Sequence, residues 1–200
     1  LDWSRERNLP LEGVCCTSNV EDLLEDPEIH IVVETIGGYE PAFTFISRAL
    51  RNRKHVVTAN KALIATRGEE LFRIAQQNGV DLLFEASVGG GIPIIKGLRE
   101  GLIANRIERI IGILNGTANY ILTKMNQEGI SFEDALKQAQ QKGFAEANPH
   151  LDVSGMDTAH KLAILGSLAS NTLVSVESLY VEGITGITSM DIEFAKSLGY

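Results

Sequence analysis

Cysteine is almost absent from this chain. Two occur in 200 residues, Cys15 and Cys16, and they stand side by side. With no C-x-x-C or His/Cys spacing around them, they offer neither a disulfide framework nor a zinc site. They read as two strand thiols in a reducing compartment, with the cytoplasm as the default. Long apolar runs are also missing, since none approaches the ~20 residues needed to cross a bilayer, which argues against a membrane partner. Basic residues are outnumbered: 18 Lys and Arg against 26 Asp and Glu leave a formal net charge of −8. That balance lacks the basic footprint of a nucleic-acid binder. The opening stretch LDWSRERNLP is polar, without the apolar segment of a secretory leader. The first residue is not Met, and the closing SLGY follows directly on a helical pattern. Both ends are therefore expected to be truncation points.

What is present is a regular alternation. The β-branched run 29–35 (IHIVVET) ends at Gly37 and Gly38 and is followed by a helical stretch at 41–53 with Pro41 as its first residue. A second strand is expected at 55–60, a helix at 68–79 and a third strand at 81–87, while 13–18 and 19–26 are a weaker strand and a two-turn helix. Short strands joined by helices of this length imply right-handed crossovers and a parallel sheet. From residue 88 the pattern changes. VGGGIP leads into a helix with Pro93 near its start, a long strand is expected at 106–116, helices at 117–129 and 131–143, a strand at 173–181 and a last helix at 189–199. Ser131 and Asp134 form a capping pattern for the second of those helices. The fold class is thus α/β: a partial Rossmann-like, parallel-sheet dinucleotide domain (1–87) followed by an α/β catalytic and dimerisation domain (88–200). The apolar layer of the second half calls for a covering layer, and a symmetric homodimer is the expected source.

Ligands of open parallel sheets bind beyond the carboxyl ends of the strands. Two such ends are suggestive here, ETIGG (34–38) and TANKA (58–62), although Gly and Asn in these loops also serve ordinary turns. The phosphate-cradling G-x-G-x-x-G expected of a first βα turn is absent. The densest chemistry lies at 143–165, GFAEANPHLDVSGMDTAHKLAIL, which carries Glu146, Asp152, Asp157, His160 and Lys161 at the mouth of an apolar helix. Ser154 and Asp157 have capping-box spacing, and Asp157 and Lys161 are an i,i+4 pair, so part of the cluster is explained by helix architecture. Lys161 is not, because the helix after it is apolar or small on every side and such a helix is buried. A partly desolvated lysine is a candidate for proton transfer. Three carboxylates around one lysine suit a zwitterionic small-molecule substrate, the acids gripping an ammonium while the lysine serves a carbonyl or hydroxyl oxygen.

Four segments, VVTANKALIA (56–65), EASVGGGIPII (85–95), GILNGTANYILTKM (112–125) and the 143–165 stretch, resemble homoserine dehydrogenase in order and spacing. The NGT-x-NYIL form is similar to the monofunctional branch rather than to the aspartokinase fusions. The resemblance covers the chain from about residue 20. It implies reduction of aspartate 4-semialdehyde to L-homoserine with NAD or NADP, on the way to threonine, methionine and isoleucine. It implies Lys161 as the acid/base and Lys61 as a second catalytic lysine near nicotinamide. Glu146, Asp152, Asp157 and Gly143 would bind substrate, and Thr35, Lys61 and Gly143 the cofactor. It also implies a sodium-like monovalent cation held by the backbone oxygens of Glu85, Val88, Gly90 and Ile92. Glycines let carbonyls turn inward and a hard cation prefers oxygen, although VGGGIP is also explained as a tight turn into a Pro-started helix. The glycine-rich phosphate loop would lie upstream of residue 1, with Asp2 or Arg5 the candidates beside the ribose. Two alternatives remain at this point: a non-catalytic dimerisation module, or a related dehydrogenase of another amino-acid aldehyde.

Overall fold

The structure is a computed structural model that describes residues 12–199. Asp2 and Arg5 lie outside the described residues. Strands β1 (Ile31–Glu34), β2 (His55–Thr58) and β3 (Leu82–Leu83) form a parallel sheet in that order, with Ile31 opposite His55 and Val56 opposite Leu82. Helix α1 (Glu21–Leu24) precedes the sheet, and the crossovers are α2 (Ala42–Arg51) and α3 (Lys61–Asn78). The first crossover follows from period, α2 burying Ala42, Ile46, Ala49 and Leu50 on one face, whereas α3 starts at Lys61, ahead of the helix expected at 68–79. Pro41 stands at the N-cap of α2 rather than inside its first turn. Asn60 caps α3 by accepting from Leu63 N–H at 3.2 Å.

The second half adds α4 (Ile94–Lys96, continued by a π turn over Gly97–Gly101), α5 (Gly116–Glu128), α6 (Phe132–Gln141), α7 (His150–Val153), α8 (Met156–Ser170) and α9 (Ser189–Ser197). Ser131 caps α6 as its spacing predicts, accepting from Asp134 N–H at 3.1 Å. Helix α8 is covered all round until its last residue. Its Ala163, Ile164 and Leu165 join the sheet and α3 in the larger core, with Leu50, Val56, Leu63 and Leu71. A smaller cluster joins Ile121 and Met125 of α5 to Ala135 and Ala139 of α6.

Several expected elements are absent or shortened, and for the strands the cause is pairing. A strand exists only with a neighbour to complete its ladder. Residues 14–17 have none among the described residues, so Cys15 and Cys16 are exposed thiols on irregular chain instead of strand thiols. The helix at 19–26 is a single turn. The third strand shrinks to Leu82–Leu83 before a 3-10 turn at Glu85–Ser87. Residues 106–115 form neither helix nor paired strand, and residues 173–181 hold a 3-10 turn at Val176–Ser178. The Ser154–Asp157 capping box does not form either. Gly155, at φ 85°, occupies the N-cap of α8 without a side-chain bond, and Ser154 Oγ turns back to Leu151 O at 3.5 Å.

The α7–α8 corner is clamped from outside. Ile184 N–H donates to Val153 O at 2.8 Å, and a Cβ on Gly183 would stand 2.6 Å from that carbonyl oxygen. Gly183→Ala is therefore expected to cost about 1–3 kcal/mol, as overpacking against backbone does. Urea unfolding checks this, and an unmoved midpoint would mean that the 183–184 segment yields freely.

Candidate active site

The starts of three helices converge at one point. Lys61 is the first residue of α3, Asp157 lies in the first turn of α8 with Lys161 one turn on, and Asn115 is the N-cap of α5. Positive helix ends favour a carboxylate, and Asp157 is the one placed there, only 6% exposed. Its Oδ1 faces Lys61 Nζ at 3.0 Å and its Oδ2 faces Lys161 Nζ at 2.6 Å. Asn115 Nδ2 also donates to Oδ2 at 2.9 Å, and to Asp152 Oδ1 at 2.7 Å. Lys161 Nζ is fixed by a second bond, to Leu114 O at 2.7 Å. Burial pushes the Asp157 carboxyl up, but hydrogen bonds from Lys161, Asn115 and Lys61 outweigh it and hold the group below its ordinary value. His160, also buried, is pushed down by burial and by the Lys61 charge, against the pull of Asp157. Two lysines and two aspartates leave the cluster charge-balanced.

Lys161 stands between two cavities. One, of about 480 Å³, is lined by Asn115, Thr117, Tyr120, Phe144, Asp152 and Asp157. The other, of about 380 Å³, is lined by Lys61, Ser87, Val88, Gly90, Ile92 and Leu114. Lys161 lines both. A larger cavity of about 510 Å³ lies between α3 and α8 and is mainly apolar, with Phe72, Phe84, Ile164 and Leu168. None of the charged cluster reaches it, so chemistry is not placed there.

The remaining site residues are more scattered. Gly143 ends α6 at φ 75°, and Thr117 Oγ1 ties the following residue to α5 by donating to Phe144 O at 2.6 Å. Glu146 is exposed, its carboxylate makes no hydrogen bond or ion pair among the described residues, and it lines neither cavity. Thr35 is exposed at the carboxyl end of β1. Below it the buried Glu34 accepts from Ile36 N–H at 2.6 Å, Gly37 N–H at 2.9 Å and the Thr58 hydroxyl at 2.5 Å. A Cβ on Gly37 or Gly38 would meet nothing within 4 Å, so the surface beyond the strand ends is open to a ligand. In the glycine loop, Gly89 and Gly90 take φ 80° and 58°. The Val88 and Gly90 carbonyls accept no hydrogen bond among the described residues, while those of Glu85 and Ile92 each take one, from Val88 N–H and Ile94 N–H. The Glu85 carboxylate caps α4, accepting from Ile95 and Lys96 N–H at 2.9 and 2.8 Å. Glu34 and Asn115 are polar residues with several hydrogen bonds that the sequence did not single out. The only signal for Asn115 was its cap position before Gly-Thr, and for Glu34 an acid ending an apolar strand.

Known proteins resemble this chain in sequence and in fold. The family model described as homoserine dehydrogenase matches residues 93–200, and the one described as homoserine dehydrogenase, NAD binding domain matches residues 4–85. Homoserine dehydrogenases of Synechocystis sp. and Bacillus subtilis are each 50% identical over 200 residues, covering 100% of this chain and 46% of their own length. The crystal structure of a homoserine dehydrogenase from Thiobacillus denitrificans superposes with a TM-score of 0.90 at 54% identity, over 92% of this chain and 43% of that one. A hyperthermophilic archaeal homoserine dehydrogenase in complex with NADPH gives 0.77 at 32% identity, over 86% and 53%. This chain thus spans about half the length of the curated relatives it matches. Two family models that between them span nearly all of it, and relatives at half identity over its whole length, agree with the parallel sheet: the chain belongs to the homoserine dehydrogenase family.

Proposed function

We propose that the protein is an NAD- or NADP-dependent oxidoreductase that interconverts L-aspartate 4-semialdehyde and L-homoserine in the cytoplasm. It divides near residue 88 into a dinucleotide half and a substrate and dimerisation half. The observation that carries this reading is the Lys61–Asp157–Lys161 arrangement set between two cavities. Lys161 gives a proton to the C4 oxygen as the aldehyde is reduced, and takes it from the hydroxyl in the reverse direction. A bound nicotinamide supplies or accepts the hydride. Lys61, held by Asp157, faces the second cavity and orients that oxygen from the cofactor side. Asp152, Asp157 and Glu146 take the substrate ammonium, and Thr35, Lys61 and Gly143 border the dinucleotide. The open surface beyond β1 and the NADPH named with the archaeal relative support a nicotinamide cofactor. The backbone oxygens of Glu85, Val88, Gly90 and Ile92 hold a sodium-like cation. The two carbonyls left without hydrogen bonds support this, since hard monovalent cations take oxygen ligands. A symmetric homodimer through the second half is supported by Ile111 and Ile113, 84% and 76% exposed.

The test is L-homoserine-dependent reduction of NAD⁺ or NADP⁺ by the purified full-length protein, followed by nicotinamide fluorescence. Homoserine turnover is expected. Turnover only with another hydroxy amino acid would make the protein a related dehydrogenase. Absence of both turnover and cofactor binding would leave a dimerisation module.

A further inference from the structure

We infer that Asn115 is a positioning residue, whose side-chain amide holds Asp152 and Asp157 side by side as one acceptor pair for the substrate ammonium. The ammonium half of this inference rests on the function proposed above; the bridge itself does not. The amide cannot be turned round. Its oxygen accepts from Ala118 N–H at 2.7 Å, which aims both N–H bonds at the carboxylates. An Asn amide has two donors, and each aspartate receives one. The residue is 7% exposed, so water does not stand in for it easily. The two acids come from different helices, α7 and α8. Like charges this close separate, or one of them takes up a proton, unless a donor lies between them.

The same stretch sets the base as well as the acid. Leu114 O holds Lys161 Nζ, and the next side chain holds Asp157. The bridge also divides the labour between the aspartates. Asp157 already accepts from Lys61, Lys161 and Asn115. Asp152 accepts only from Asn115, so its Oδ2 has no partner among the described residues, and the residue lines the polar cavity. Within the pair, Asp152 therefore offers the ammonium an oxygen free of other partners among the described residues, while Asp157 also fixes the lysines.

Two substitutions keep a capping oxygen at the start of α5 and remove the bridge: Asn115→Ser deletes the amide, and Asn115→Asp turns the donor into a third acid. In the full-length protein, homoserine kcat/KM should fall about ten-fold in Asn115→Ser, the equivalent of one charge-assisted hydrogen bond, and further in Asn115→Asp. Most of the loss should be in homoserine KM, with cofactor KM unchanged. A residue that only caps would leave both variants with wild-type constants, and that result overturns the inference. A readout without substrate separates the two halves. In ¹³C titrations of the aspartate carboxyls, Asp157 should protonate at higher pH in Asn115→Ser than in wild type. An unmoved Asp157 overturns the bridge even if homoserine is turned over. A moved Asp157 in a protein whose wild type ignores homoserine keeps the bridge and removes the proposed function.

Discussion

Lys161→Ala is expected to lower homoserine turnover by about 10²–10⁴-fold, the range supplied by a positioned proton donor or acceptor. The side chain is not a solvated surface group. Its Nζ is pinned between Asp157 Oδ2 and Leu114 O, where it borders both cavities. On the proposed function, removing it would deprive the C4 oxygen of its proton donor, and it leaves Asp157 with Lys61 and Asn115 as partners. Dinucleotide affinity should stay within about two-fold of wild type, since the lost charge-assisted bonds are made to Asp157 and Leu114 and not across the strand ends. Lys161→Arg keeps the charge but does not release a proton, so it should restore stability and not turnover. Near-wild-type turnover in the alanine variant would end the proton-transfer role. An equal loss of cofactor binding would make the lysine architectural.

Removing charge from the two acids should act on KM. If Glu146 binds the ammonium as proposed, Glu146→Gln keeps size and should delete one charge-assisted hydrogen bond, a loss of ~1.5–3 kcal/mol, or roughly ten-fold or more in homoserine KM. Because Glu146 is exposed and makes no ion pair among the described residues, its stability should not change. Asp157→Asn should raise KM at least as much and lower kcat as well, because Lys61 and Lys161 lose the charge that fixes both. It should also lower stability, unlike Glu146→Gln, since two partly buried cations are left without a counter-charge. Steady-state kinetics and thermal unfolding of the two variants decide this. Unchanged KM in both would mean that the ionisable cluster is scaffolding.

Local pattern carried the helices and the crossovers. The amphipathic face of α2, the Ser131 cap and the i,i+4 spacing of Asp157 and Lys161 are all short-range signals, and each stands in the structure as read. The misreadings have one physical source. Strand identity depends on a neighbour, and a β-branched run such as RIERIIGI does not reveal whether it has one. The S-x-x-D spacing at Ser154 and Asp157 was degenerate for a related reason: a left-handed Gly155 inserts between them and frees the acid for partners far away in sequence. Asn115 meets Asp157 across 42 positions and Lys161 meets Leu114 across 47. Periodicity carries no information about such pairs, so the density of ionisable groups at 143–165 pointed to the cluster while its partners Asn115 and Leu114 went unread.

Residues 106–113 form an unpaired segment beside the start of α5. They are rich in isoleucine and without a single backbone hydrogen bond among the described residues, and they end in two exposed isoleucines, Ile111 and Ile113. Such a row of free N–H and C=O groups templates edge-to-edge growth. Arg106, Glu108 and Arg109 guard its first half, whereas Ile110–Ile113 carries no charge. Concentrated preparations of these 200 residues are therefore expected to associate through the uncharged Ile110–Ile113 end of that segment.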